Sequence, residues 1–403
     1  MPQLSLLHIF WIFLKLGCTS FGGPIAHLGF FRQEFVEKRR WLDDAAYAEL
    51  VALCQFLPGP ASSQLGMALG FMQSRVAGAV AAWLGFTLPS ALLLGLLAYA
   101  VADGFNISPF VAGLKIVAVA VVAQALWGMS RSLVNGLPQL LLVTIAALVS
   151  LLSQGALVQV MIIAAAALFG WWFGAAKPTA PSTPNIHSLQ TPGSDIKTNL
   201  RAGKHWLSFG CGLLFSGLLL ALPLLAAYST ELMLVDSFYR AGALVFGGGH
   251  VVLPLLEAEM LTQGLVSKNE FVAAYGAAQA VPGPLFTIAS YLGVASGVQA
   301  ASFFNGVLAT VAIFLPGFLL LLAVLPWWQQ LRLYPAVQRA VAGMNAAVVG
   351  ILLAAWYDPV LTSAIDNWQT AVVAVFATVL LMAGRQPAWR LVILCLLISP
   401  WLG

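Results

Sequence analysis

The fold class predicted from the sequence is an all-α polytopic membrane protein made of two homologous repeats of inverted topology with broken, re-entrant helices. Three observations carry it. First, 61% of the residues are hydrophobic and only 8% are charged, against roughly 25% charged in soluble domains. Second, several apolar runs reach the ~20 residues that a spanning helix needs. Third, one unusual stretch occurs twice. Lys15-Leu-Gly-Cys-Thr-Ser-Phe-Gly22-Gly23-Pro24 recurs as Arg240-Ala-Gly-Ala-Leu-Val-Phe-Gly247-Gly248-Gly249. Each copy is followed by a second interruption, Gln55-Phe-Leu-Pro58-Gly59-Pro60 and Gln279-Ala-Val-Pro282-Gly283-Pro284. Glycine and proline in apolar sequence imply non-helical backbone at membrane depth, tolerated only where protein buries it or it lines a cavity. Paired broken helices are a pointer to a transport site.

In chain order, an apolar helix at 4–21 stops at Gly22-Gly23-Pro24, and a shorter piece at 25–35 enters a charged loop at 32–44. Segments 45–57 and 61–74 are too short to span and flank Pro58-Gly59-Pro60. Long helices follow near 76–100, 110–128, 138–153 and 156–175. Residues 176–205 are polar and rich in Pro, Ser and Thr, which predicts a flexible linker. An extra apolar helix at 206–228 precedes the second copy, where the order repeats: 233–248, 250–261, 270–281, 285–297, then 300–325, 337–357, 368–384 and 388–402. Further matches support duplication. Phe86-Thr-Leu-Pro89 aligns with Ile313-Phe-Leu-Pro316, and Val111-Ala-Gly-Leu114 with Val341-Ala-Gly-Met344, which sets Lys115 against Asn345. The expected organisation is a first repeat at 1–175, the linker, a connecting helix at 206–228 and a second repeat at 229–403.

If the break regions return to their own side, five spans separate equivalent points. Five is odd, so the halves are inverted. Arg32, Lys38, Arg39, Arg40, Arg75, Arg131, the linker cations, Arg332, Arg339, Arg385 and Arg390 then share one side. Asp103, Glu231, Asp236, Glu257, Glu259, Glu270, Asp358 and Asp366 collect on the other, with Lys268 the one loop cation. The positive-inside rule makes the first side cytoplasmic. With thirteen full spans, seven would separate equivalent points, which is also odd, but Arg32 and Lys38 to Arg40 would then lie outside. The net charge of +4 comes from cations scattered singly in short loops, which excludes a nucleic-acid partner. No cleavable signal peptide is expected at the start. Cys18, Cys54, Cys211 and Cys395 lack metal-ligand spacing, so neither a metal site nor a cofactor is expected.

Re-entrant hairpins from opposite faces would bring their tips together. After each Pro-Gly-Pro a new half-helix begins, with Ser62 and Ser63 in the first and Thr287 in the second. Free N–H groups there carry about half a positive charge and suit an anion, whereas the plain alternative is a kinked, packed helix. Lys15 and Arg240 hold the same repeat position. A membrane-embedded cation needs a partner, which is either a bound dianion or, for Arg240, Asp236 one turn earlier. Lys115 is a third candidate cation. Glu34 and Glu259 align as gating candidates, with an ordinary Glu34–Lys38 pair as the alternative. His250 is a candidate proton relay without a symmetric counterpart. Gln55 and Gln279 are expected to hydrogen-bond the broken backbone.

Phe21-Gly22-Gly23, Trp41-Leu42, Gln55-x-x-Pro58-Gly59-Pro60, Phe246-Gly247-Gly248-Gly249-His250 and Gln279-x-x-Pro282-Gly283-Pro284 together resemble the chromate ion transporter family, in its long, two-domain form. The resemblance covers the chain except the linker. It implies a multi-pass inner-membrane exporter of chromate that confers resistance, with halves of opposite topology. Sulfate or another tetrahedral oxyanion is the alternative substrate, and an anion channel the alternative class. Membrane lipid and a second copy of the chain are the remaining expected partners. No G-x-x-x-x-G-K-[ST] is present, so secondary transport rather than ATP hydrolysis is expected.

Overall fold

The computed structural model describes residues 4–21, 23–106, 108–134, 136–153, 156–173, 205–245, 252–296, 302–331, 333–383 and 388–401. These residues are helical with no strand among them. The expected linker lies outside them except for His205.

In the first part of the chain the helices are α1 (Leu6–Thr19), α2 (Gly23–Arg32), α3 (Asp44–Phe56), α4 (Ala61–Ala102), α5 (Ser108–Leu133), α6 (Leu137–Leu152) and α7 (Ala156–Phe173). Then come α8 (His205–Leu225), α9 (Thr230–Leu244), α10 (Val252–Thr262), α11 (Lys268–Ala280), α12 (Ile288–Ala295), α13 (Phe303–Val324), α14 (Pro335–Ala355), α15 (Trp368–Ala383) and α16 (Ala388–Ile398). Their starts follow from side-chain caps. Ser5, Asp43 and Ser229 accept from backbone N–H groups two or three residues inside α1, α3 and α9, and Ser267 with Glu270 makes a capping box on α11.

Two departures from the sequence reading have local causes. The segment expected to be a loop after residue 32 continues as a π-helical turn, Gln33–Lys38. Its end is tied by the Arg39 amide to the Glu34 carbonyl at 3.0 Å, and by the Glu34 carboxylate to Arg39 at 2.8 Å and Lys38 at 3.5 Å. Helix α4 is two arms joined at Ser74 and Arg75, whose φ of +51° marks a sharp turn. The arms fold against each other at Gly70 and Gly78, where no side chain separates the backbones.

Among the described residues, five helical segments are long and apolar enough to cross a membrane: Ala61–Ala102, Pro109–Arg131, Trp206–Leu225, Phe303–Trp327 and Pro335–Ala364. Outward-facing Leu141, Ile145, Phe169, Trp172, Phe209 and Leu220 give the bundle an apolar exterior, and the chain is a multi-pass membrane protein. Helices α1, α4, α9, α12 and α13 form the centre. Around them, α5 packs with α11, α15 and α16, while α14 packs with α6, α7 and α10. Each of these outer groups therefore mixes helices from both parts of the chain.

The depth of the breaks follows from two contacts. The Ser74 hydroxyl donates to the Leu4 carbonyl at 3.0 Å, so the turn of α4 sits beside the start of α1. The other end of α1, Ser20, meets Gly283 beside Ser90, in the middle of the second arm. Helix α1 thus reaches only half the length of its neighbour.

Candidate functional site

Both Pro-Gly-Pro interruptions adopt a left-handed glycine, φ +118° at Gly59 and +97° at Gly283. That conformation is open to glycine and strained for any residue with a Cβ. It turns each glycine amide out of its own helix and toward the other part of the chain. Gly59 N–H donates to the Val245 carbonyl at 2.7 Å, and Gly283 N–H donates to the Ser20 carbonyl at 2.9 Å. Ser20 caps the end of α1 and Val245 caps the end of α9, the two helices that carry Lys15 and Arg240. The neighbours correspond too. A Cβ on Gly59 would lie 3.2 Å from Gly317 Cα, and one on Gly283 would lie 2.8 Å from Ser90 Oγ. In the alignment of Phe86 with Ile313, Gly317 and Ser90 are also matched positions.

Each interruption opens a new helical start. Pro60 precedes α4 and Pro284 precedes the 3-10 turn Leu285–Thr287 that leads into α12, and neither start has a side-chain cap. The first-turn N–H groups are therefore available to a ligand, and the helix dipole favours a negative one. Around them, polar side chains divide into two sets. Some are committed to the protein. Ser62 Oγ lies 3.3 Å from His27 Nδ1, and His27 Nε2 lies 3.2 Å from the Ser20 carbonyl. A carbonyl only accepts, so Nε2 carries the proton and Ser62 donates to Nδ1. Thr287 donates to the Pro284 carbonyl at 2.7 Å. Gln64 Nε2 donates to the Pro58 and Gly317 carbonyls at 2.9 and 3.2 Å.

The other set is buried and has no partner among the described residues: the hydroxyls of Ser20, Ser63 and Thr87, the side-chain nitrogen of Gln279 and the side-chain oxygen of Gln64. Four donors in this state are costly unless a ligand or water satisfies them. They lie in or beside the two crossings.

The sequence-predicted residues fare unevenly. Pro58, Gly59, Pro60, Pro282, Gly283 and Pro284 lie at the crossings, and Gly23 takes a left-handed φ of +76° at the start of α2. Gly22, Gly247, Gly248, Gly249 and His250 lie outside the described residues. The structure assigns Ser62 and Thr287 to internal hydrogen bonds, which leaves Ser63 as the donor from that set. Gln55 is exposed on α3, and the backbone contacts expected of it are made by Gln64. His27 was not anticipated; its one signal is a histidine in an apolar segment just past a break.

The charged candidates also separate. Arg240 is clamped to Asp236 by two bonds of 3.0 and 2.6 Å and to Glu259 by one of 3.1 Å. Both carboxylates are buried. Its charge is therefore met by protein, which is the Asp236 alternative with a second acid added. Lys15 is on the exposed face of α1 with Trp11 and Cys18. Lys115 is buried and donates to Asn269 Oδ1 at 2.9 Å and the Ser363 carbonyl at 3.0 Å, joining α5 to α11. Glu34 sits in the ion-pair turn already described. Burial pushes its carboxyl up, but Arg39 and then Lys38 outweigh this and hold it below the usual carboxylate range.

Comparison with known proteins gives the family of the sequence. The family model described as chromate transporter matches twice, at residues 7–171 and 232–399. A chromate transport protein of Cupriavidus metallidurans is 27% identical, over 96% of this chain and 90% of its own. A probable chromate transport protein of Synechococcus elongatus is 28% identical, over 88% and 84%. A chromate transport protein of Pseudomonas aeruginosa is 24% identical, over 89% and 82%. No solved structure matches. With both parts of the sequence matched by one family and each completing the other's interrupted helix, the chain belongs to the chromate transporter family.

Proposed function

We propose that the protein exports the chromate dianion across the inner, plasma membrane and so confers chromate resistance, with the anion held between the two crossings. The observation that carries this reading is the set of unpartnered buried donors, Ser20, Ser63, Thr87 and Gln279, beside two uncapped helix starts. A tetrahedral dianion offers four acceptor oxygens to such a set. Of the aligned cations, Lys15 remains in the proposal and Arg240 leaves it. An inside-negative potential favours export of two charges by ~4.6 kcal/mol at 100 mV, which supports secondary transport. Sulfate has the same shape and charge and is the alternative substrate.

The test is uptake of labelled chromate into everted membrane vesicles, with and without excess sulfate. Ser63→Ala and Thr87→Val each remove a donor that has no partner among the described residues. Each is expected to weaken uptake about 10-fold or more, the worth of a hydrogen bond to a charged group, while membrane protein level stays unchanged. Uptake at the original rate in both variants would remove the crossings from the anion's path.

We also propose that the two parts are inverted repeats related by an axis in the membrane plane. The exchanged bonds Gly59–Val245 and Gly283–Ser20 support this, because a two-fold relation generates such reciprocal pairs. Single cysteines at Arg39 and Thr262, on a background lacking the native four, are expected to react with an impermeant reagent from opposite faces. Reaction from one face overturns the inversion.

A further inference from the structure

His27 is wholly buried on α2, and its two ring nitrogens bond toward both crossings. Nε2 donates to the Ser20 carbonyl at 3.2 Å, the same oxygen that accepts Gly283 N–H at 2.9 Å. Nδ1 lies 3.3 Å from Oγ of Ser62, the second residue of α4 after Pro60. Phe86 meets the imidazole edge to face at 5.2 Å, and Thr87, the next residue, carries one of the unpartnered hydroxyls. A hydroxyl both donates and accepts. The contact between Nδ1 and Ser62 therefore serves the neutral ring and the protonated ring alike.

Among the described residues no charged group acts on this imidazole. Arg32, at the far end of α2, is held by Asp44 and Glu37. In the π-helical turn Glu34 is paired with Arg39 and Lys38. On α3 the Tyr47 hydroxyl donates to the Leu28 carbonyl; Glu49 and Cys54 are the other titratable groups there. Helix α4 brings Arg75 at its turn and Tyr99 in its second arm, and α1 brings His8, Lys15 and Cys18 on its exposed side. The second crossing, 281–287, has no titratable side chain. A buried charge without a partner is costly, so the ring is neutral while the site is empty. A dianion between the crossings supplies the missing counter-charge and favours the protonated ring.

We propose that His27 is a proton-binding site linked to the anion, taking one proton from water onto Nδ1 as the dianion binds. The step needs a single rearrangement. An N–H bond forms at Nδ1, the Ser62 hydroxyl turns from donating to that nitrogen to accepting from it, and its own hydrogen is released to the anion. Binding gains one positive charge and one donor at the start of α4, while the bond from Nε2 to Ser20 stays in place. This rests on the anion lying between the crossings, as proposed above, and makes the proton the linked ion.

The test is titration calorimetry of the purified full-length protein with chromate and with sulfate. Two buffers of different ionisation enthalpy are used at about pH 8, where both free anions are dianionic. The difference in heat between the buffers counts protons taken up per anion bound. The original protein is expected to take up about half to one proton per anion, with affinity weakening up to about 10-fold for each unit of pH added. His27→Gln, whose amide offers a donor and an acceptor but takes no proton, is expected to bind more weakly with no uptake. Ser62→Ala keeps the titrating ring and loses the released donor, so uptake is expected to persist while affinity falls about 10-fold. It serves as the second readout should His27→Gln fail to fold. Binding to the original protein without proton uptake, equal uptake in His27→Gln, or unchanged affinity in Ser62→Ala overturns the proposal. Failure of the original protein to bind either anion overturns the anion site itself, and this proposal with it.

Discussion

Alanine at Gly283 or Gly59 is expected to reduce chromate uptake by about 10-fold or more, with most of the protein still inserted. Two costs add at each position. The left-handed backbone, at φ +97° and +118°, costs a side-chain-bearing residue ~1–3 kcal/mol. A Cβ on Gly283 would also sit 2.8 Å from Ser90 Oγ and 3.2 Å from the Phe86 carbonyl, and one on Gly59 would sit 3.0 Å from Gln64 Nε2. Relief requires the crossing to withdraw from its neighbour, which lengthens the bond to Ser20 or Val245 and turns the uncapped helix start away from the unpartnered donors. The two variants are expected to behave alike, because each glycine makes the same kind of bond to the other part of the chain. Vesicle uptake, normalised to membrane protein by immunoblot, checks this. Full uptake in either variant would show that the left-handed turn is dispensable.

Arg240→Gln is expected to fail at an earlier stage, with a collapse in the amount of folded protein. It strands Asp236 and Glu259, both buried, and removing one partner from a buried ion pair costs about 3–5 kcal/mol. Asp236→Asn is expected to be milder, since Glu259 still balances the guanidinium at 3.1 Å. The triple variant Arg240→Gln, Asp236→Asn, Glu259→Gln removes every charge in the cluster and is expected to recover much of the lost protein. The measurement is fluorescence-detected size exclusion of tagged variants. Normal levels of Arg240→Gln with lost chromate uptake would instead return Arg240 to the anion.

Helix positions were legible in the sequence because hydropathy and glycine–proline punctuation act locally. Nearly every apolar run became a helix within a few residues of its expected ends, and both Pro-Gly-Pro sites became breaks. What escaped depends on contacts distant in sequence. Nothing local distinguishes Gln55 from Gln64. Gln64 lies one turn past the break, where its amide reaches both Pro58 and Gly317, whereas Gln55 lies on the exposed side of the preceding helix. The commitment of Ser62 was hidden because His27 enters from a different helix. Asp236 was visible as a partner for Arg240 at i,i+4, but Glu259 arrives from α10 and was matched instead with Glu34. The π-helical turn at Gln33–Lys38 was missed because a run of charges reads as solvated loop until its ion pairs are seen.

The exchanged bond at Gly59 has a consequence for biogenesis. Its acceptor, Val245, is 186 residues further along the chain, and a ribosome working at ~5–20 residues per second takes roughly 10–40 s to make that stretch. For that interval the newly inserted Pro58-Gly59-Pro60 backbone has an amide with no native acceptor, in surroundings that punish one. The nascent first half therefore has to keep that amide hydrated or sheltered until α9 arrives to accept its bond.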